Sequence, residues 1–522
     1  MVSHFDDDFN VTWTDPRDAE SIWAIDRIHF THPLTPLTQE LYREVVASSW
    51  ATPCVFVNGY AYFKDFAPPP TPQEVIERGA VVVWREKYLP LVKEICTRIR
   101  IRGYDSMSAD QIVDLLPTVF KESAEAFSYP TVVASAFMGP GMALADFCDQ
   151  EIGADGPMMV TTLLQGFAND TIAAGVGLGE LAEFAATKPA VAEALRQRRF
   201  DAIESLPGGE EFMSRLLAFL EAYGWRAEEW CLAHLPTWIE EPQTPLYLIG
   251  RYLQDPGRSP VEAMRRSIEQ RKEMAAAIEA RLPDDKRAEF QALLAAAQPY
   301  VQISEERALW QLIAIGSVRV PVLALGTRLV EAGVVERDSD VFYLTLAELR
   351  DLVAEPKSAF DLIVERRAEH THREKLNPPL SIGKPLVVSE RPRISQIVHR
   401  FFFGVEPEQE EGNLIKGVGA SQGVITGRAR VIRSLSESDT LEAGEVLVCR
   451  NTAPPWTPLF AIAGAVVTDV GGLLSHSAIC AREYAIPCVV GTGVATSRIP
   501  DGSIITVDGT NGTINLQRAA ED

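Results

Sequence analysis

Apolar residues recur at intervals of three and four along most of the first 375 residues, which is the spacing of one face of an α-helix. On this spacing we predict helices over 72–101, 110–126, 177–205, 209–223, 260–281, 284–299 and 304–333. Pro321 predicts a kink in the last helix, because proline lacks the amide proton that a helix interior needs. One β-hairpin is predicted among the helices, since Asn58-Gly59 stands between two β-prone runs.

The pattern changes twice after residue 375. Residues 376–412 are rich in proline and charge and have few periodic apolar positions, which indicates a linker or hinge. From 413 to 522, short β-like runs such as EVLVCR and GAVVTDV alternate with turns, and one helix is predicted at about 475–485. We therefore predict a multidomain fold, in which a large, mainly α-helical domain at 1–375 precedes a small α/β domain at 413–522.

Composition narrows the class of protein. The chain has 522 residues, which is too long for one compact core. Acidic residues outnumber basic ones by 72 to 49, and the net charge of −23 disfavours nucleic acid and anionic membranes as partners. The N-terminal residues lack a signal-peptide pattern, and no uninterrupted apolar run reaches the roughly 18 residues of a membrane span. The seven cysteines are scattered without metal-ligand spacing, so we expect a cytoplasmic protein without a metal site.

One segment, residues 464–493, has a pattern that fits group-transfer chemistry. An apolar strand runs into Gly471 and Gly472. Ser475 and His476 then open a helical run. A strand, a glycine turn and a helix start together aim backbone N–H groups at an anion, and imidazole is a nucleophile near neutral pH. From the residues alone, His476 is either a phosphoryl-carrying nucleophile or a capping histidine among structural glycines.

This segment resembles the phosphohistidine signature of the PEP-utilising enzyme family. The matching positions are Gly471, Gly472, Ser475, His476, Ala478, Ala481, Arg482, Ile486, Pro487, Val489, Val490 and Gly491. The resemblance extends over about 413–518 and implies a swivelling phosphohistidine domain, in which His476 is the catalytic residue that carries the phosphoryl group. By the same resemblance, the residues expected to bind the phosphate are Gly471, Gly472, Ser475 and Ser477.

Residues 10–350 resemble, more loosely, the helical domain of such enzymes. The order of the two domains resembles the layout of rifampicin phosphotransferase and of the phenylphosphate synthase-like aryl kinases. The sequence shows no ATP-grasp pattern, so the resemblance implies that ATP and Mg²⁺ bind on a separate ATP-grasp subunit. The reaction it implies is transfer of the phosphoryl group from His476 to the hydroxyl of a small phenolic substrate, giving an aryl phosphate.

A phenol acceptor needs a base for its proton and cations for the transferring group. Candidate acceptor-site residues are His29, His32, Arg226, Glu229, Glu306, Arg307 and Arg319. Each of them has an alternative role in packing or ion pairing. Two other functions stay open: a phosphotransferase for a different small molecule, such as an antibiotic hydroxyl or pyruvate, and a non-catalytic phosphocarrier or regulatory protein. The phenol hypothesis predicts an enclosed pocket of phenol size, and the phosphocarrier hypothesis predicts none.

Overall fold

The chain folds into two compact units in the computed structural model. Unit one contains Met1–Ala136, Glu229–Pro236 and Trp310–Glu390. Unit two contains Phe137–Glu228, Thr237–Leu309 and Arg391–Asp522. The structure describes residues 9–13, 15–25, 32–50, 52–64, 71–153, 156–167, 170–230, 232–254, 260–376, 378–379, 381–384, 412–473 and 475–517.

Helices make up most of the described chain before residue 376. They are α1 (Pro36–Ser49), α2 (Gln73–Arg78), α3 (Ala80–Val83), α4 (Leu89–Arg100), α5 (Ala109–Ile152), α6 (Gly156–Leu163), α7 (Asp170–Ala186), α8 (Pro189–Arg196), α9 (Gly209–Tyr223), α10 (Gln243–Tyr252), α11 (Pro260–Arg281), α12 (Asp284–Ser317), α13 (Arg319–Glu331), α14 (Leu346–Ala354) and α15 (Phe360–Arg373). Two short helices follow in the C-terminal region, α16 (His476–Glu483) and α17 (Ala495–Arg498).

The strands lie in two groups. The first group is β1 (Ile22–Ile25), β2 (Cys54–Val57), β3 (Tyr60–Lys64) and β4 (Ser381–Gly383). The second group is β5 (Leu414–Lys416), β6 (Val418–Ser421), β7 (Val424–Val431), β8 (Val446–Cys449), β9 (Ala465–Thr468), β10 (Cys488–Val490), β11 (Ile504–Asp508) and β12 (Thr513–Leu516).

The helices confirm the predicted bounds where the apolar spacing is regular. Helices α9 and α11 have the predicted bounds. By contrast, α12 runs continuously past residue 303, where the sequence analysis expects a break between two helices. The chain breaks instead at Val318, and α13 begins at Arg319. Pro321 therefore lies in the first turn of a helix, where its missing amide proton costs no intrahelical hydrogen bond, rather than at an internal kink.

Unit one contains a four-stranded antiparallel sheet with the strand order β2-β3-β1-β4. Strands β2 and β3 form the predicted hairpin, whose turn residues Asn58 and Gly59 have φ angles of 50° and 81°. Such left-handed angles are those that a two-residue hairpin turn requires. Strand β4 falls within 376–412, so part of the segment expected to be a linker is a strand that pairs with β1.

The C-terminal part of unit two is an eight-stranded sheet with the order β5-β12-β11-β7-β8-β9-β10-β6. Its central strands β7, β8, β9 and β10 run parallel. Strands β8, β9 and β10 are buried at every residue, which is why they form nearly continuous apolar runs. Their buried side chains, among them Val446, Val467 and Val489, form one core cluster with α17. Helix α16 connects β9 to β10, so its first residue lies beyond the carboxyl end of a parallel strand.

Unit two also contains helices from 137–228 and 237–309, which pack on this α/β domain. The hydroxyl of Tyr247 donates to the Leu441 carbonyl over 2.8 Å, and Tyr252 donates to the Pro458 carbonyl over 3.1 Å. These buried hydrogen bonds attach helix α10 to the C-terminal α/β domain. The division into compact units therefore does not coincide with the expected boundary at residue 375.

One described stretch, Asp284–Glu331, is long and apolar enough to cross a membrane. However, 78% of its most apolar window is buried inside the fold. This burial is typical of a core helix, because a core helix is covered by apolar neighbours on most sides.

Candidate functional site

His476 is the first residue of α16, and the residues before it shape the turn that presents it. The Ser475 side chain caps the helix by accepting a hydrogen bond from the Ala478 amide over 3.4 Å. Gly471 has a φ of 126°, and a Cβ there would lie 2.8 Å from the Ser475 hydroxyl oxygen. A glycine is therefore required at 471 both by backbone conformation and by the close approach of the cap. Gly472 is buried beside it.

The half-buried ring of His476 contacts two buried polar side chains. Its Nε2 lies 3.1 Å from the Thr457 hydroxyl and 3.4 Å from the Cys480 sulfur. The Thr457 hydroxyl and the Cys480 sulfur are themselves 3.5 Å apart. Neither Thr457 nor Cys480 was among the predicted site residues. Cys480 could have been predicted, because it lies four residues after His476 and therefore on the same face of the helix.

The two other polar residues singled out on α16 have structural partners. The Ser477 hydroxyl is fully buried and lies 2.8 Å from the hydroxyl of Thr452. The Arg482 guanidinium donates to the carbonyls of Ala420 and Leu473 over 2.8 and 2.9 Å, and burial lowers its pKa to about 10. Because Leu473 lies three residues before His476, Arg482 fixes the loop that leads into the histidine.

Two buried carboxylates hold the ends of this strand-turn-helix segment. Asp469, at the end of β9, accepts hydrogen bonds from the Thr496 amide over 3.1 Å and the Thr492 hydroxyl over 3.2 Å. Burial raises the pKa of Asp469. Glu483, at the end of α16, accepts from the Gly166 amide over 2.8 Å. These contacts hold both ends of the segment that contains His476 within unit two.

A second group of histidines lies in unit one. His32 Nδ1 lies 3.2 Å from a carboxylate oxygen of Glu229, which is only 4% exposed. The rings of His234 and His370 are 5.1 Å apart, and His370 Nε2 lies 3.0 Å from the Pro33 carbonyl oxygen. Burial lowers the pKa of His234 and of His370. The group therefore combines a histidine-carboxylate pair with two imidazoles that favour their neutral form.

Arg319 completes this group. Its guanidinium donates to the carbonyl of Ala233, the residue before His234, over 2.8 Å. The charge of Arg319 adds to burial in lowering the pKa of His234. The structure thus brings together three of the predicted acceptor-site residues, His32, Glu229 and Arg319. His234 and His370 were missed, because each is a lone histidine in its segment and nothing in the sequence links them.

The remaining predicted residues lie elsewhere. Arg226 belongs to unit two, where its guanidinium lies 4.2 Å from the Trp238 ring and all three nitrogens are buried without a hydrogen-bond partner. Burial lowers the pKa of Arg226 to about 9. Glu306 and Arg307 are half-buried on α12, also in unit two. His29 lies outside the described residues.

Across the described ranges, no group of three or more His, Cys, Asp or Glu side chains is arranged to hold a metal ion. An apolar crevice in unit one, lined by residues that include Phe120 and Phe342, has no room for a water molecule. Such a crevice cannot hold a phenol, so the phenol-sized pocket stays a prediction.

Two segments match families of known proteins. Residues 441–512 match the mobile domain of PEP-utilising enzymes. Residues 128–305 match the fourth domain of rifampicin phosphotransferase. The first match contains His476 and confirms the resemblance that the signature indicates, and the second lies largely in unit two.

Individual relatives agree with these matches. The chain is 30% identical to a rifampicin phosphotransferase of Streptomyces sviceus, over 78% of this chain and 46% of that protein. It is 32% identical to an uncharacterised phosphotransferase, YvkC, of Bacillus subtilis, over 60% of this chain and 37% of that protein. It is 29% identical to the chondramide synthase cmdD of Chondromyces crocatus, over 98% of this chain and 14% of that protein. The chain thus spans less than half the length of each of these relatives.

Proposed function

We propose that this chain is a phosphotransferase of the PEP-utilising enzyme family, in which His476 takes up a phosphoryl group and passes it to the hydroxyl of a small organic molecule. The observation that carries the proposal is the position of His476 at the first residue of α16, behind a glycine turn. There the N–H groups at the helix start and the positive end of the helix dipole would stabilise a phosphoryl group on the ring.

The acceptor needs a base, and we propose the His32-Glu229 pair for this role. Glu229 accepts a hydrogen bond from Nδ1–H of His32, which leaves Nε2 of His32 as the proton acceptor. As the acceptor oxygen forms its bond to phosphorus, the phosphorus bond to His476 breaks. The electron pair of that bond returns to the ring nitrogen, and the hydroxyl proton moves to His32.

Two acceptor classes are consistent with this chemistry. The relatives named rifampicin phosphotransferase support an antibiotic-type hydroxyl as the first candidate. A simple phenol is the second candidate, since its pKa of about 10 requires the kind of base that a histidine-carboxylate pair supplies. The phosphoryl donor is proposed to be ATP, bound with Mg²⁺ at an ATP-grasp module outside these 522 residues.

A single-turnover experiment tests the proposal without the donor module. The chain is phosphorylated with phosphoramidate, a small chemical donor, and then mixed with rifampicin or with a panel of phenols. We expect loss of phosphohistidine and gain of an organic phosphate ester, both followed by ³¹P NMR, with one acceptor class. His476→Asn, the control, should yield neither signal. Hydrolysis to inorganic phosphate alone, with every acceptor, would contradict a transferase.

A further inference from the structure

The buried residue His370 contacts the backbone beside His32, and the following inference rests on the role proposed above for the His32-Glu229 pair. His370 lies on α15 and is only 6% exposed. Its Nε2 lies 3.0 Å from the carbonyl oxygen of Pro33, the residue after His32. His370 therefore contacts the proposed base through the backbone that carries it, not through its ring.

The chemistry of this contact places a proton on Nε2 of His370. A carbonyl oxygen only accepts hydrogen bonds, so Nε2 must be the donor. The other ring nitrogen, Nδ1, lies farther from its neighbour, at 3.5 Å from a carboxylate oxygen of Glu374. Because burial lowers the pKa of His370, the ring favours its neutral form, which carries a single ring proton. His370 therefore donates that proton to the Pro33 carbonyl.

The hairpin of β2 and β3 holds the same segment from another direction. The Leu34 amide donates to the Gly59 carbonyl over 2.8 Å. A Cβ at Gly59 would lie 3.0 Å from the Cβ of Pro33, so the turn approaches this segment closely. His32 itself precedes a proline, which restricts its backbone to extended conformations. The backbone thus has little freedom, and the His370 hydrogen bond fixes the peptide unit that follows Pro33.

We propose that His370 is a positioning residue that holds the backbone beside His32, so that the His32 ring keeps its hydrogen bond to Glu229 and its Nε2 stays available to the acceptor hydroxyl. The His32 Nδ1 lies 3.2 Å from the Glu229 carboxylate, which is the long end of the normal range. A further displacement of about 0.4 Å would break this hydrogen bond. The pair therefore depends on where the backbone places His32.

Two amide substitutions form a matched pair at this position. His370→Gln keeps an N–H group at about the reach of Nε2, whereas the side chain of His370→Asn is one carbon shorter and does not reach Pro33. His372→Asn is the control, because His372 lies on the same helix but is exposed. A change seen only in His370→Asn therefore reports on the hydrogen bond to Pro33 and not on the loss of a histidine from α15.

The first measurement is ¹⁵N NMR of the His32 ring in the unphosphorylated chain. The chain is labelled at its eight histidines, and His32→Gln assigns the His32 signals. Wild type, His370→Gln and His372→Asn should show the Nδ1–H tautomer that pairs with Glu229. His370→Asn should instead show a mixture of tautomers, because the ring no longer has a fixed partner.

The second measurement separates the two half-reactions in the chain phosphorylated with phosphoramidate. His370→Asn should form phosphohistidine at the wild-type rate, because His370 does not contact His476. Its transfer to rifampicin, or to the phenol that wild type accepts, should be about 10- to 100-fold slower. A reacting group displaced by about 1 Å loses on the order of 100-fold in rate. His370→Gln should recover most of this loss.

An Nδ1–H tautomer that persists in His370→Asn, or that is lost equally in His370→Gln or in His372→Asn, would overturn the proposal. The NMR arm needs neither a phosphoryl donor nor an acceptor, so it judges His370 even if His476 proves not to be a carrier. Failure of wild type to transfer its phosphoryl group to any acceptor, or transfer that is unchanged in His32→Gln, would instead count against the proposed function.

Discussion

The two histidine sites of this molecule are built in opposite ways. His476 in unit two stands at a helix start, half-buried, beside a hydroxyl and a thiol 19 and four residues away in the chain. The cluster in unit one is largely buried, and it joins His32 to Glu229 across 197 residues and His370 to Pro33 across 337. The difference shows that a local motif can present a histidine at a helix start, whereas a histidine-carboxylate pair needs tertiary contacts.

The largest expected effect separates the roles of the two sites. His476→Asn should abolish phosphohistidine formation with phosphoramidate. His32→Gln should leave it intact but slow transfer to the acceptor about 100-fold or more, since general base catalysis contributes on the order of 10²–10⁴. Quenched single-turnover assays, in which phosphohistidine and phosphate ester are both quantified, measure the phosphorylation step and the transfer step. Equal transfer rates for His32→Gln and wild type would remove the unit-one cluster from the mechanism.

A smaller effect, on stability, is expected from Arg482, which anchors the loop that leads into His476. Arg482→Met should leave the buried carbonyls of Ala420 and Leu473 without their donor, at a cost of about 2–4 kcal/mol in the free energy of unfolding. Urea denaturation measures this cost. The exposed Arg215, which pairs with Glu211 on the surface of α9, is the control, and Arg215→Met should change stability by less than about 1 kcal/mol. Similar losses for both variants would mean that burial of Arg482 is not the cause.

The unit-one cluster should make the fold sensitive to acid. Burial lowers the pKa of His234 and His370, so the folded chain binds fewer protons there than the unfolded chain, whose histidines titrate near 6.5. Their contribution to stability is complete above about pH 6.5 and is lost as the pH falls below it, by at most roughly 1.4 kcal/mol per pH unit for each histidine. Urea unfolding between about pH 7.5 and 5.5 should show this slope, and His234→Asn should reduce it. An unaltered slope in that variant would show that His234 is not its source.

The smallest effect compares two helix caps. Ser475→Ala in unit two and Thr345→Ala in unit one each remove a side-chain cap, of α16 and α14 respectively, at a cost of about 1 kcal/mol. Thermal unfolding should show similar losses for both. Only Ser475→Ala should also slow phosphorylation of His476, because its cap sets the helix start that presents the ring. If Thr345→Ala slowed phosphorylation as much, the effect would arise from general destabilisation.

Much of the fold could be predicted where the determinants are local. The hairpin at Asn58-Gly59 and the bounds of α9 and α11 follow from turn chemistry and apolar spacing, and the structure confirms them. The break between the last two predicted helices was placed at 300–303, and the structure has it at Val318 instead, because Pro321 is compatible with a first helical turn and the sequence does not specify which turn that is. Strand β4 was missed, because three residues carry too short a pattern and only pairing with β1 makes them a strand.

The segment that presents His476 could be predicted from consecutive residues, since the geometry of the glycine turn, the cap and the helix start depends on backbone conformation over a few residues. What the ring touches, and which distant side chains meet, depends on the tertiary packing. Thr457 reaches His476, and Glu229 reaches His32, because strands and helices far apart in the chain pack together. Contacts of this kind depend on packing of the whole core, and no local pattern of residue types encodes them.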